Sequence, residues 1–263
     1  MTDSDADVKS APQPGSKPER VGMLVDFDNV FPPNDPSSPN SVKHDLLGWI
    51  RMVVEASATV EQIDIRLYGG WAAHEMLSRR GSEVAAMLDF IDPFPLVRPD
   101  GQFLRGSISL ARGPIGDSSV LLDDTYRRRQ SPPRLRLANT PHPVGCQERG
   151  HSCPVKILKK FTQKGDQLCA ASSCSVTASS AFVVHEQKMV DTLLACDILE
   201  IALDSSFAST FVVSGDTDFV PPALLAKRLS SKPLRILAPT RTVVESAKAH
   251  LLDHAVAFTE MDL

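Results

Sequence analysis

The stretch Val21-Gly-Met-Leu-Val-Asp-Phe-Asp-Asn-Val30 constrains the fold more than any other: it is short, almost wholly apolar, and turns acidic at its end. A strand that is apolar on both faces must be covered on both, which places it inside a parallel sheet flanked by helices. The segments after it keep that rhythm. Ser41 can cap a helix over about 42 to 58, with Leu46, Leu47, Ile50, Val53 and Val54 on its apolar side. Gln62 to Tyr68 reads as a second strand closed by Gly69-Gly70, and 74 to 90 reads as a second helix. Strand, helix, strand, helix with short turns is the pattern of an α/β sheet with right-handed crossovers.

The rhythm breaks from about 98 to 180. This stretch is rich in Pro, Gly and Ser, has short β-like runs at Phe103 to Leu110 and Arg134 to Leu137, and holds four of the five cysteines. It reads as an insertion on the rim of the sheet, not as a second core. The pattern then returns: a strand at Ala181 to Val184, a helix from Gln187 to about Ala202, a strand at Thr210 to Val213 and a helix at Phe219 to Leu229. A strand at Leu234 to Ala238, a helix at Val243 to Leu251 and a strand at Ala255 to Phe258 complete it. Residues 1–19 are polar, lack an apolar period and read as a disordered tail, which leaves 20–263 as one domain.

Composition excludes several classes. With 42% hydrophobic residues the chain has the material for a core, and a net charge of −4 is not that of a cationic nucleic-acid coat. Five cysteines in 263 residues are too few for a disulfide scaffold. No run approaches the roughly 18 apolar residues of a membrane span, and the N-terminus has no apolar signal core. The expectation is a soluble, cytoplasmic protein without membrane contact.

Acids gather where strands end. Asp26 and Asp28, with Asn29, close the first strand; Asp216 and Asp218 close a later one within Ser214-Gly-Asp-Thr-Asp-Phe219; Asp191 falls in the first turn of the helix before it. Ligands of an open parallel sheet collect outside the carboxyl ends of its strands. Taken singly, an Asp after a strand is as readily a helix cap. Taken together, several carboxylates at one place repel one another unless a cation lies between them, and a hard ion such as Mg²⁺ or Mn²⁺ suits oxygen donors. Without a Ser/His/Asp or Cys/His arrangement, the chemistry that fits is metal-assisted phosphodiester hydrolysis.

Three motifs carry a family resemblance: Met23-Leu-Val-Asp-Phe-Asp-Asn29, Lys188-Met-Val-Asp191 with Asp197, and Val213-Ser-Gly-Asp-Thr-Asp-Phe-Val-Pro221. In that order and spacing they resemble the NYN domains, in particular the LabA/DUF88-like branch of the PIN-like nuclease superfamily. The resemblance covers about 20 to 30 and 180 to 260. It implies a Rossmann-like three-layer α/β sandwich with a mainly parallel central sheet, and a metal-dependent endoribonuclease or a descendant of one. Carried over by position, Asp26, Asp191, Asp216 and Asp218 hold one or two Mg²⁺ or Mn²⁺ ions, and Asn29 supports Asp26. Asp28 stands at a variable position, and Asp197, off the Asp191 face at about 100° per residue, acts from behind. The implied mechanism is in-line attack of an activated water on phosphorus.

Other residues are candidates for substrate contact. Lys188, one helical turn before Asp191, and Ser214 could meet a phosphate, although a solvated lysine and a turn-stabilising hydroxyl are the alternatives. Tyr126, Arg127, Arg128 and Arg129, with Arg134 and Arg136, form the strongest local positive charge, in a stretch with no acid between Asp124 and Glu148. Arginines grip phosphates and an aromatic can stack on an unpaired base, so single-stranded or structured RNA is the expected partner. Arg66 and Tyr68 are weaker candidates of the same kind. Cys146, Cys153, Cys169 and Cys174, spaced C-x6-C and C-x4-C with fifteen residues between, are candidate structural zinc ligands or unliganded thiols; Cys196 reads as core. Two alternatives to the nuclease remain: a nucleic-acid-binding or regulatory module that keeps the fold without turnover, with a homodimer or a regulatory protein as partner, and a phosphatase suggested by Asp26-Phe-Asp28.

Overall fold

The computed structural model describes residues 19–32, 38–57, 59–131, 154–171, 173–240 and 245–261. Its first half runs β1 (Glu19–Asp26), α1 (Phe27–Val30), α2 (Pro39–Ala56), β2 (Val60–Tyr68), β3 (Ala72–Ala73), β4 (Met76–Leu77), α3 (Arg79–Ile91), β5 (Leu96–Val97), β6 (Phe103–Leu110) and β7 (Tyr126–Gln130). The second half runs α4 (Pro154–Phe161), α5 (Ala178–Ala181), β8 (Val183–Gln187), α6 (Val190–Leu203), β9 (Phe207–Val213), a 3-10 turn at Thr217–Phe219, α7 (Val220–Leu229), β10 (Leu234–Pro239), α8 (Glu245–Asp253) and β11 (Ala257–Met261).

Seven strands form one sheet in the order β11-β10-β9-β1-β2-β6-β5. All neighbours are parallel except β5, which runs antiparallel to β6. β1 lies in the interior and is buried from Val21 to Asp26, as its two-faced apolarity demands. Val21, Met23 and Val25 face α2 and α3 in a core with Leu46, Trp49, Ile50, Val53 and Val84. Leu24 faces the other way, into a core with Leu194, Ile198 and Ile201 of α6, Ala223 of α7 and Leu251 of α8. Helices therefore cover both faces, giving a three-layer α/β sandwich. Each buried aliphatic side chain here contributes about 1.5–3 kcal/mol. Gly22 lets α6 approach β1 closely, since a Cβ there would stand 2.6 Å from Ile201 Cδ1.

Several boundaries differ from the sequence expectation, each for a local reason. The cap of α2 is Ser38, whose hydroxyl accepts from the Ser41 N–H, and Pro39 occupies the first turn. The expected helix from 74 begins only at Arg79, because β3 and β4 form a tight hairpin through His74 and Glu75, both at positive φ (51° and 66°). Phe103 to Leu110 is a strand of the main sheet, paired with β2 over six positions, so the insertion starts after it and not near 98. The strand expected at 181–184 is β8, which pairs with β7 in a separate antiparallel ribbon. α6 starts at Val190, after Met189 turns the chain at φ 64°. The tail expected over 1–19, apart from Glu19 in β1, and the run Arg134 to Leu137 lie outside the described residues. Among the described residues, no helix is long and apolar enough to cross a membrane.

Candidate carboxylate site at the sheet edge

From β1 the chain proceeds through α2 to β2 and onward to β6, all to one side. It later returns through α6 to β9 on the other side of β1 and continues outward to β10 and β11. The junction of β1 and β9 is therefore where the strand order reverses, and the crevice outside its carboxyl ends is the place such sheets offer a ligand. Asp26 is the last residue of β1, and Ser214 directly follows β9.

A hydrogen-bonded chain runs along this edge. The Ser214 hydroxyl donates to Asp26 Oδ2 at 2.7 Å and accepts from the Asp216 N–H at 3.0 Å. Asp216 Oδ1 in turn accepts from the Asp218 N–H at 2.9 Å, capping the 3-10 turn. Asp26 is only 5% exposed. Its burial pushes its pKa up to about 7; the Ser214 hydrogen bond opposes this, and the charges of Asp191, Asp216 and Asp28 add to it. Asp191, in the first turn of α6, is also raised, by partial desolvation and then by the charges of Asp216 and Asp218. The charges of Asp191 and Asp216 therefore reach Asp26, and those of Asp216 and Asp218 reach Asp191. Asn29 lies half-buried in α1, three residues past Asp26.

Asp28 and Asp197 do different work. Asp28 is buried and accepts from the Gly70 N–H at 3.0 Å, from Gln187 Nε2 at 2.6 Å and from Arg80 Nε at 3.3 Å. It joins the ends of β1 and β2, α3 and the β7–β8 ribbon. A carboxylate engaged in this way is not the free acid of an Asp-x-Asp phosphatase, which removes the basis for that alternative. Asp197 is fully buried, accepting from the Tyr68 hydroxyl at 2.5 Å and the Ile115 N–H at 3.0 Å, with Arg66 at 3.7 Å. Arg66 and Tyr68 are thus occupied inside the protein and do not face a nucleic acid.

The expected substrate contacts fare unevenly. Ser214 is buried, and its hydroxyl is committed to Asp26 and Asp216, so it orders the carboxylates and does not meet phosphate. Lys188 precedes α6, so it does not share a helical face with Asp191; its ammonium pairs with Glu186 at 2.8 Å. Tyr126 is half-buried and packs over Gly70, where a Cβ would come within 3.1 Å of its ring. Arg127 is exposed and pairs with Asp124 at 3.5 Å. Arg128 and Arg129 lie in β7 opposite His185 and Val184. Cys196, expected in the core, is exposed on α6, because that helix buries a face set by Leu194, Asp197, Ile198 and Ile201. Cys146 and Cys153 lie outside the described residues; Cys169 and Cys174 are free thiols, each half-buried. Arg80 and Gln187 escaped the sequence reading because their common partner, Asp28, is 52 and 159 residues away.

The donor set at the edge is all oxygen, as a hard cation requires. Among the described residues, no three His, Cys, Asp or Glu side chains stand placed to hold one ion. That arrangement still fits Mg²⁺, which keeps several waters and typically takes only one or two carboxylates. The elevation of Asp26 and of Asp191, by burial and by neighbouring carboxylates, is the electrostatic condition such an ion relieves.

No protein-family model matches the chain, and no curated protein matches it. Among solved structures it is similar to a crystal structure of a protein of unknown function from Vibrio parahaemolyticus, with 12% sequence identity over 95% of this chain and 97% of that one, at a TM-score of 0.38.

Proposed function

We propose that the chain is a metal-dependent ribonuclease that cuts RNA phosphodiesters endonucleolytically at the edge formed by Asp26, Asp191, Asp216 and Asp218. The observation that carries this reading is the burial of Asp26 among the like charges of Asp191, Asp216 and Asp28 at the point of strand-order reversal. The resemblance of the three acidic motifs to NYN domains points the same way. Asp26 and Asp216, fixed through Ser214, together with Asp191 and Asp218 are the residues that would hold Mg²⁺ or Mn²⁺. When bound, the ion supplies an activated water and neutralises charge on a phosphoryl oxygen.

The remaining work falls to the chain itself. Ser214 locks the Asp26 carboxyl in place from behind. Asp216 caps the 3-10 turn that leads into α7. Positive charge for a polyanion would come from Arg127, exposed on β7.

A second reading, a binding module of the same fold without turnover, is favoured by the absence of a three-carboxylate ligand set among the described residues. One experiment separates them: labelled single-stranded and structured RNA incubated with Mn²⁺ or with EDTA, beside an Asp216→Asn variant. Cleavage that needs the metal and is lost in the variant is the expected result. Binding by both proteins without cleavage would replace the first reading with the second.

A further inference from the structure

α4 separates its apolar residues from its cationic ones. At about 100° per residue, Val155, Ile157, Leu158 and Phe161 share one half of the helix, and Lys156, Lys159 and Lys160 share the other. Its C-terminal end is anchored. Phe161 meets Phe182 with ring centroids 6.0 Å apart, and the buried Thr162 hydroxyl donates to the Leu158 carbonyl at 3.0 Å. Yet no residue of α4 is buried. Val155, Ile157 and Leu158 are 57%, 46% and 43% exposed, and Leu168, in the turn that follows, is 55% exposed. Ile157, Leu158, Phe161 and Leu168 line one groove of about 830 Å³, so the apolar surface is continuous across both segments. An open apolar surface of this kind marks a contact site.

Charge narrows the choice of contact. From 154 to 165 the chain has four lysines and no acidic residue. Among the described residues, Lys159, Lys160 and Lys164 form no ion pair. Lys159 and Lys160 border the apolar half on its two sides, about 40° beyond Val155 and about 60° beyond Ile157. A lysine so placed lays its stem along the apolar surface and lifts its ammonium into the polar layer above. An apolar arc bordered by lysines is complementary to a surface that is anionic outside and apolar within, which is an acidic phospholipid leaflet. RNA matches the lysines, but its phosphate backbone offers nothing to Val155, Ile157, Leu158 and Leu168.

We propose that α4 and the Leu168 turn form a peripheral docking surface for a membrane leaflet rich in anionic phospholipid. The expectation of no membrane contact rested on the lack of a spanning run, and contact of this kind needs none. The inference does not rest on the nuclease reading.

The test uses the full chain and phosphatidylcholine vesicles with and without about one third phosphatidylserine. The protein should sediment with the anionic vesicles, not with the neutral ones, and less as salt rises. Replacing Lys159, Lys160 and Lys164 by Gln should weaken binding about fivefold for each lysine removed, and Ile157→Asp should abolish it. In Ile157→Trp the added fluorescence should shift to the blue on anionic vesicles, while the buried Trp49 and Trp71 supply a constant background. No sedimentation with anionic vesicles, equal binding to neutral ones, or no blue shift in Ile157→Trp would each overturn the proposal. Lysine variants that lose RNA binding while vesicle binding stays unchanged would overturn it in favour of a nucleic-acid surface.

Discussion

Replacing Asp26 with Asn isolates the electrostatic cost of the carboxylate edge. Asp26 titrates near 7 in the folded protein against 3.8 for the free side chain. The folded value is raised, so the favourable contribution is complete below pH about 4 and is lost as pH rises toward 7. A shift of about 3 pH units corresponds to roughly 4 kcal/mol. Asn keeps the shape and an oxygen that can accept from Ser214, but it cannot ionise. Urea unfolding followed by Trp49 and Trp71, the two tryptophans of the chain, both buried, reports the difference. In EDTA, Asp26→Asn should match or fall slightly below the parent at pH 4 and exceed it by about 3–4 kcal/mol at pH 8. Adding Mg²⁺ at pH 8 should stabilise the parent and leave the variant unchanged. Parallel stability profiles of the two proteins from pH 4 to pH 8 would refute the argument, because they would mean that Asp26 is not held in an environment hostile to its charge.

Three further perturbations test the neighbouring devices. Ser214→Ala removes the hydroxyl that donates to Asp26 and accepts from the Asp216 N–H; chemical denaturation at pH 8 should show a loss of about 1–3 kcal/mol, and the Asp26 titration, followed by NMR, should move upward. Tyr68→Phe strips the buried Asp197 of its hydroxyl donor and should cost about 1–3 kcal/mol, with RNA binding measured by fluorescence anisotropy unchanged. Gln187→Leu cuts the link between the β7–β8 ribbon and Asp28; hydrogen exchange should speed up in residues 126–130 and 183–187 while the amides of β1 stay protected.

The core of the fold is local physics written into the chain. The two-sided apolarity of Val21 to Val25 dictates an interior strand wherever the helices end up, and that is where β1 lies. The helical spacing of Leu46, Ile50 and Val53 likewise demands a covered face, and all three are buried against the sheet. Local pattern fails where a partner decides. Phe103 to Leu110 alternates between exposed and covered positions, as an insertion hairpin also would, and only pairing with β2 assigns it to the sheet. Val183 to Gln187 is a strand, but its partner is β7 and not the sheet.

By itself, then, the sequence determined which stretches are interior strands, which helices cover them, and that acids close β1 and β9, because periodicity and burial act within a few residues. The tertiary structure alone decided what those acids do. Asp26 and Asp28 are two residues apart, yet one meets Ser214 and the field of Asp191 and Asp216, while the other is taken by Gly70, Arg80 and Gln187. Charge, desolvation and hydrogen bonding depend on distance in space, and the hydrogen-bond partners of these two acids lie between 42 and 188 positions away along the chain.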